Sequence, residues 1–350
     1  MKILHCIPNM AGGGAERQLT YLVKAQRELG LDVQVVLIGG GPNLDQLQST
    51  GVTVHLLKKR GNHDPLILLR ILRLATRFRP DIIQTWLRQM DILGGMCSML
   101  LGIPFVLSER SCKMAYTRAF KWRLRELIAR KSAAVIANSP AGIAYWKEVL
   151  PRQHACFWLP NAVPVEEIAS ATPLSLHSYG IPDNVPRILF VGRFSKEKRV
   201  GFLIEAFSLV AKRTKAVLIL CGEGNEDAVL RKRVHEDPGL RERVFFLPYQ
   251  KNVWGLMKKC QLFASLSSFE GCPNAVLEAA VCGLRLLLSD IAPHREVVGN
   301  NAYYTSGSLA ETADCLVRAL ADLESNYVRP GSERSVLHCY SPPEIALRIN

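Results

Sequence analysis

Ser268-Phe269-Glu270-Gly271-Cys272-Pro273-Asn274-Ala275-Val276-Leu277-Glu278 decides how this chain is read. The run before it, Leu262–Leu266, is short and apolar but for Ser265, and reads as a buried strand. The run Ala275–Cys282 reads as a helix, with Pro273 near its first turn and Gly283 as its stop. A strand that turns through glycine and proline into a helix leaves the first amide N–H groups pointing outward with partial positive charge. Such a loop is shaped to hold a phosphate. Glu270 lies on the loop beside that anion. Glu278 lies about a turn into the helix, where a carboxylate can accept hydrogen bonds from two neighbouring hydroxyls, such as those of a ribose. One segment thus offers contacts to a sugar, a phosphate and a nucleoside.

The bulk properties frame this motif. A chain of 350 residues is long enough for two domains, and 48% hydrophobic with 21% charged residues is ordinary for a globular α/β protein. No uncharged apolar stretch reaches the roughly 18 residues of a membrane span. Met1–Ile7 is a first strand leading into a glycine loop, not a signal peptide. The ten cysteines are dispersed without a Cys-x-x-Cys pair, so reduced thiols in a cytoplasmic protein are expected and no metal site is. The net charge of +13 suits an anionic partner: nucleic acid, a membrane face or a phosphorylated substrate.

Short apolar runs alternate with longer amphipathic ones along the whole chain, which predicts α/β architecture with parallel sheets and crossover helices. Strands are expected at Ile3–Ile7, Asp32–Ile38, Thr53–Leu57, Ile82–Thr85, Phe105–Ser108 and Ala134–Ala137. A second series covers Ile188–Val191, Ala216–Cys221, Val244–Leu247, Leu262–Leu266, Leu284–Leu288 and Ala302–Thr305. Between them runs a connector punctuated by Pro160, Pro164, Pro173, Pro182 and Pro186. The expected organisation is a first Rossmann-like domain over 1–170, a linker over 171–186, a second Rossmann-like domain over 187–330 and a C-terminal segment over 331–350. Two facing doubly wound domains would put a ligand cleft between the carboxyl ends of their sheets.

After the first strand of the second half stands Gly192-Arg193-Phe194-Ser195-Lys196-Glu197-Lys198, whose Arg193 and Lys198 offer a planar fork and a mobile point charge for phosphate oxygens. Gly222-Glu223-Gly224 follows the next strand, and Leu247-Pro248-Tyr249 the one after. With the Glu270–Glu278 segment, these motifs resemble the Glu-x7-Glu signature and flanking loops of the retaining glycosyltransferases of family 4, which have the GT-B fold. The resemblance implies a metal-independent enzyme that binds a nucleotide sugar and needs no cofactor; no Asp-x-Asp occurs to hold a bridging metal. It implies catalytic roles for Glu270, Arg193 and Lys198. Donor binding would fall to Gly13 and Gly14 of the first-half loop Gly13-Gly14-Ala15-Glu16-Arg17, to Gly222 and Leu247, and to Gly271, Cys272, Pro273, Asn274, Ala275 and Glu278. Two departures stand out. Arg199 occupies the place where the family usually has glycine. No histidine stands in Gln84–Trp86 or Leu107–Ser111, where relatives carry one, so Glu109 and Arg110 become candidates for the sugar or acceptor side, with a structural turn pair as the alternative.

The implied reaction moves a sugar, with retention, from a nucleotide donor, UDP favoured over GDP, to a lipid-linked or saccharide acceptor in surface-polysaccharide assembly. A basic stretch, Lys113 to Lys131, holds Lys113, Arg118, Lys121, Arg123, Arg125, Arg130 and Lys131 with Phe120 and Trp122 interleaved; Lys58-Lys59-Arg60 adds to it. It suits an anionic bilayer surface, the alternative being a core helix with a basic solvent face. The expected location is cytoplasmic, peripheral on the inner face of the cytoplasmic membrane. The rivals are a sugar-nucleotide epimerase on the same fold and a non-catalytic scaffold subunit. A nucleic-acid binder rests on charge alone, since no reading module is present.

Overall fold

The computed structural model describes every residue except 59, 62, 63, 112, 117–119, 325–340 and 350. It divides into two compact units. One holds Met1–Ala162 and the C-terminal helix Pro342–Ile349; the other begins at Val163.

The first unit is a parallel sheet of β1 (Lys2–Cys6), β2 (Asp32–Leu37), β3 (Thr53–Leu56), β4 (Ile82–Trp86), β5 (Phe105–Glu109), β6 (Ala134–Ala137) and β7 (Cys156–Trp158), in the spatial order β3-β2-β1-β4-β5-β6-β7. The second is a parallel sheet of β8 (Arg187–Val191), β9 (Val217–Cys221), β10 (Val244–Leu247), β11 (Leu262–Ser265), β12 (Arg285–Ser289) and β13 (Tyr303–Thr305), ordered β10-β9-β8-β11-β12-β13. Each sheet grows one way from its first strand and then reverses, so β1 and β4 in one, and β8 and β11 in the other, flank a topological switch point.

The apolar runs are strands because both faces are covered. In β9 every residue is buried. Leu218 and Leu220 join one core with Phe207 and Leu316 of the helices Val200–Ala211 and Leu309–Ala321. Val217, Ile219 and Cys221 join the opposite core with Met257 and Leu277. Each such aliphatic side chain stabilises the sheet by about 1.5–3 kcal/mol through removal of apolar surface from water.

Two expectations from composition differ from the structure. The proline-punctuated linker placed at 171–186 is not a free connector. The units part at Ala162 and Val163, because Val163, Ile168, Leu176 and Ile181 are buried in the second unit's core. Lys258 Nζ reinforces this by donating to the carbonyls of Ala169 and Ala171, each at 2.7 Å. The sequence reading also passed over β7, an edge strand of three residues whose Phe157 and Trp158 are exposed. The expected boundary at 330 and much of the 331–350 segment fall on 325–340, outside the described residues. The helix Pro342–Ile349 lies against the helix Gly14–Glu28, with Ile345 and Ala346 buried in the first unit's core.

Candidate active site

The loop after β8 is anchored by Phe194, whose side chain is fully buried, while Arg193 beside it is exposed. A short 3₁₀ turn, Lys196–Lys198, then leads into the helix Val200–Ala211. Burial disfavours the Glu197 carboxylate, but the Ser195 hydroxyl, donating at 2.6 Å, together with nearby Arg193 and Lys198, holds it below the usual range. Arg199 adopts φ +51°, ψ +38°, a left-handed conformation that glycine takes without steric cost. Its guanidinium sits 4.2 Å from the centre of the Phe202 ring.

The Gly222–Gly224 turn packs directly on this loop. A Cβ on Gly222, where φ is +143°, would fall 2.0 Å from the Gly192 carbonyl oxygen, and one on Gly224 would fall 2.2 Å from that of Phe194. The backbone hydrogen bonds Phe194 N–H to Glu223 O (3.0 Å) and Glu226 N–H to Phe194 O (3.1 Å) close the contact. In this structure the two glycines let two loops meet. The Leu247 carbonyl accepts from the Gly222 N–H at 3.0 Å, and the Leu247 side chain is buried.

The loop after β11 meets the loop after β8 because those strands are neighbours in the sheet. The Ser268 N–H donates to the Glu197 carbonyl at 2.8 Å. Lys198 Nζ donates to Glu270 Oε1 at 2.5 Å, and Ser267 Oγ donates to the same oxygen at 2.7 Å. The Lys198 and Glu270 side chains are 25% and 12% exposed, so the pair is reachable yet partly shielded from water. The helix Asn274–Val281 starts immediately beyond, with Pro273 at its cap position and no side-chain cap hydrogen bond. The Pro273 carbonyl accepts the Val276 and Leu277 N–H groups, which leaves Asn274 and Ala275 at the outward first turn. Gly271, Cys272, Asn274 and Ala275 are half-buried and Pro273 is buried.

Glu278, one turn in, is buried, and Trp254 Nε1 donates to its Oε2 at 3.0 Å. Arg193, Lys198, Gly222, Glu270 and the Gly271–Glu278 segment therefore gather at the carboxyl ends of β8, β9 and β11. Trp254 and Ser267 are additions that the sequence reading missed. Ser267 was legible only as a small polar residue ahead of Glu270; nothing local marked Trp254 as a partner of Glu278.

The first-unit candidates lie elsewhere in the chain's architecture. Gly13 caps and Gly14 begins the helix Gly14–Glu28, after the carboxyl end of β1. A Cβ on Gly13 would meet the Glu16 carboxylate at 2.5 Å. Glu109 ends β5, where it is buried and committed: its Oε2 accepts from Arg125 Nη1 (2.8 Å) and Trp146 Nε1 (3.0 Å), and its Oε1 from the Ser111 N–H (2.8 Å). Arg125 also donates through Nε to Asp91 Oδ2 at 2.7 Å. Glu109 is thus part of a buried ionic cluster rather than of a ligand surface. Burial pushes the Asp91 carboxyl up to about 6; Arg125 and the Thr85 hydroxyl oppose that shift, and Glu109 adds to it. Arg110 is half-buried, stacks 4.4 Å from the Trp86 ring centre and donates to Asn161 Oδ1 at 3.1 Å.

The basic stretch sorts into two faces of the helix Phe120–Ala129. Phe120 and Leu127 are 76% and 57% exposed, beside exposed Lys121 and Arg123, with Arg130 and Lys131 just beyond. Arg125 belongs to the core, and half-buried Trp122 stacks with Tyr116 at 4.3 Å, so neither is a surface anchor. Lys59 and Arg118 lie outside the described residues. Among the described residues no helix is long and apolar enough to cross a membrane.

Two parallel, doubly wound sheets with this order of strands define the GT-B class of architecture. The Anabaena protein HepE, solved in complex with UDP-glucose, superimposes with a TM-score of 0.84 over 100% of this chain and 98% of that one, at 21% identity. The family model for glycosyltransferase family 4 matches residues 12–167, and that for glycosyl transferases group 1 matches 174–336. The chain belongs to these glycosyltransferases, with a family 4 first unit and a group 1 second unit. A similar curated protein is the Escherichia coli UDP-Gal:alpha-D-GlcNAc-diphosphoundecaprenol alpha-1,3-galactosyltransferase, 24% identical over 78% of this chain and 75% of that protein. Another is the Campylobacter jejuni N-acetylgalactosamine-N,N'-diacetylbacillosaminyl-diphospho-undecaprenol 4-alpha-N-acetylgalactosaminyltransferase, 31% identical over 42% of this chain and 39% of its own length.

Proposed function

We propose that the protein transfers a sugar from a UDP-sugar to a lipid-linked saccharide with retention at the anomeric carbon, in surface-polysaccharide assembly. The observation that carries this reading is the Lys198–Glu270 pair beside the open start of the helix Asn274–Val281. Fixed cations and a helix N-terminus suit a diphosphate. The adjoining carboxylate suits sugar hydroxyls and developing positive charge. The names of the relatives support the donor and acceptor classes: one uses UDP-Gal, and both act on saccharides carried on diphosphoundecaprenol.

In the proposed step the acceptor hydroxyl oxygen bonds to the anomeric carbon from the face that the leaving group departs. The bond from that carbon to the diphosphate oxygen breaks, and the acceptor proton passes to the departing phosphate oxygen. Arg193, Lys198 and the helix start hold the leaving diphosphate, Glu278 holds the ribose, and Glu270 orients the sugar. Gly13 and Gly14 remain the first-unit candidates for donor contacts, and half-buried Arg110 the candidate for the sugar or acceptor side. No metal is needed in this scheme, and EDTA should leave turnover unchanged.

The exposed Phe120 and Leu127, ringed by Lys121, Arg123, Arg130 and Lys131, form a surface for anionic lipid, which suits a peripheral location on the cytoplasmic leaflet where such acceptors are built. Co-sedimentation with anionic liposomes tests it; equal binding by Phe120→Glu/Leu127→Glu and wild type would refute this surface. The donor reading is tested by calorimetry with UDP and GDP, followed by UDP release with and without a diphosphoundecaprenol-linked acceptor. Acceptor-dependent release marks a transferase; product epimers without release mark an epimerase; no ligand binding marks a scaffold.

A further inference from the structure

Behind the Glu270 loop lies His294, on the helix Ala292–Val298 that follows β12. Its ring is fully buried. Nδ1 lies 2.9 Å from the Ser289 carbonyl oxygen and 3.2 Å from the Ser289 hydroxyl. A carbonyl oxygen can only accept, so Nδ1 carries the proton. The Ser289 hydroxyl donates onward to the Ser267 carbonyl at 2.6 Å, and the Ser267 hydroxyl donates to Glu270 Oε1 at 2.7 Å. The chain of contacts runs from His294 through the end of β12 and across to the loop after β11. It finishes on the oxygen that Lys198 also holds. Buried networks of this kind lock side-chain geometry when every link is satisfied.

We infer that His294 is a positioning residue for Glu270: through Ser289 and Ser267 it fixes the turn from which the carboxylate projects toward the donor sugar. The inference rests on the donor-site reading above. Burial lowers the affinity of the imidazole for a second proton, against the pull of the Ser289 carbonyl and of Glu270, and nearby Lys198 also disfavours it. The neutral ring therefore keeps one donor, at Nδ1. Its Nε2 is buried and has no hydrogen-bond partner among the described residues. All of the ordering thus passes through Nδ1. Rate rather than donor affinity should feel its loss, because small misplacements of a reacting group cost about 10- to 100-fold in turnover.

The test separates the two ring nitrogens. His294→Asn puts an amide donor near the place of Nδ1, whereas His294→Gln puts one near the place of Nε2. For the UDP-sugar that the wild type turns over, His294→Ala and His294→Gln should lower kcat by at least about tenfold with KM within about twofold. His294→Asn should retain most of the rate. Crystal structures of the wild type and of His294→Ala supply a second readout, in which the variant should lose the Ser267–Glu270 contact. An unchanged Glu270 position, an unchanged kcat in His294→Ala, or rescue by Gln rather than Asn would each overturn the positioning role. A wild type that binds neither UDP nor UDP-glucose in calorimetry would instead overturn the proposed function, and this inference with it.

Discussion

Lys198 Nζ lies 2.5 Å from Glu270 Oε1 although 72 positions separate the two residues in the chain. They come from the loops after β8 and β11, neighbouring strands at the switch point of the second sheet. Each offsets the charge of the other, so the site holds both without the desolvation cost of a lone ion.

Glu270→Gln should lower UDP release in the presence of acceptor by about 10²- to 10³-fold, because the amide keeps the Ser267 contact and loses the negative charge. Lys198→Ala should act on the same step. The double variant should be less impaired than the product of the two single effects, as expected for contacting groups. Near-wild-type turnover in Glu270→Gln would remove that residue from the mechanism.

Gly222→Ala should destabilise the protein by about 2–4 kcal/mol, since the new methyl group would overlap the Gly192 carbonyl at a φ that L-residues rarely adopt. Urea unfolding measures this. The same substitution at Gly30, where a Cβ meets nothing within 4 Å but φ is +79°, should cost less. Equal losses at the two sites would show that loop-to-loop contact is not what requires Gly222.

Arg125→Met should cost about 3–5 kcal/mol of unfolding free energy, because it strands the buried carboxylates of Asp91 and Glu109. Asp91→Asn should be much milder, since the amide oxygen can still accept from Thr85 or Arg125. A loss under about 1 kcal/mol in Arg125→Met would mean that the cluster rearranges freely, against the usual cost of an unpaired buried charge.

Acid should weaken the first unit through His5. Burial lowers its pKa from 6.5 to about 4, with the Gln26 hydrogen bond opposing. Trp86 Nε1 donates to His5 Nδ1 at 3.2 Å, a contact that requires an unprotonated nitrogen. The folded state therefore holds its proton less tightly than the unfolded one. Its stabilisation is fully present above pH 6.5 and is lost as pH falls toward 4. Asp91 has the opposite sign over about the same range but is common to both proteins in the comparison of wild type with His5→Gln. His5→Gln should lose less stability between pH 7 and 4.5; parallel curves would show that His5 is not the sensor.

Trp254→Phe should weaken UDP binding severalfold in calorimetry while moving the melting temperature little, since it removes one indole donor to Glu278 and keeps an aromatic ring. An unchanged Kd would separate Trp254 from the nucleoside site.

The strand series was legible because parallel strands covered on both faces are apolar almost throughout, as Val217–Cys221 is and Leu262–Leu266 is but for Ser265. The edge strand Cys156–Trp158 was not, because a three-residue strand with exposed side chains carries no such pattern. Arg193, Lys198, Glu270 and Glu278 were legible as residue types at strand-to-helix turns. Glu109 looked like a site residue for the same reason, and only its contacts with Arg125 and Trp146 show that it is structural.

The amino-acid order alone determined two doubly wound parallel sheets and the strand-to-helix turns that carry Arg193, Lys198 and Glu270, since periodicity and turn chemistry are local properties. It took the folded chain to make Lys198 the partner of Glu270, Trp254 the partner of Glu278, and His294 the anchor behind them. Those pairings depend on which strands lie side by side, and neighbours in a sheet are set by long-range packing that no short window of sequence contains.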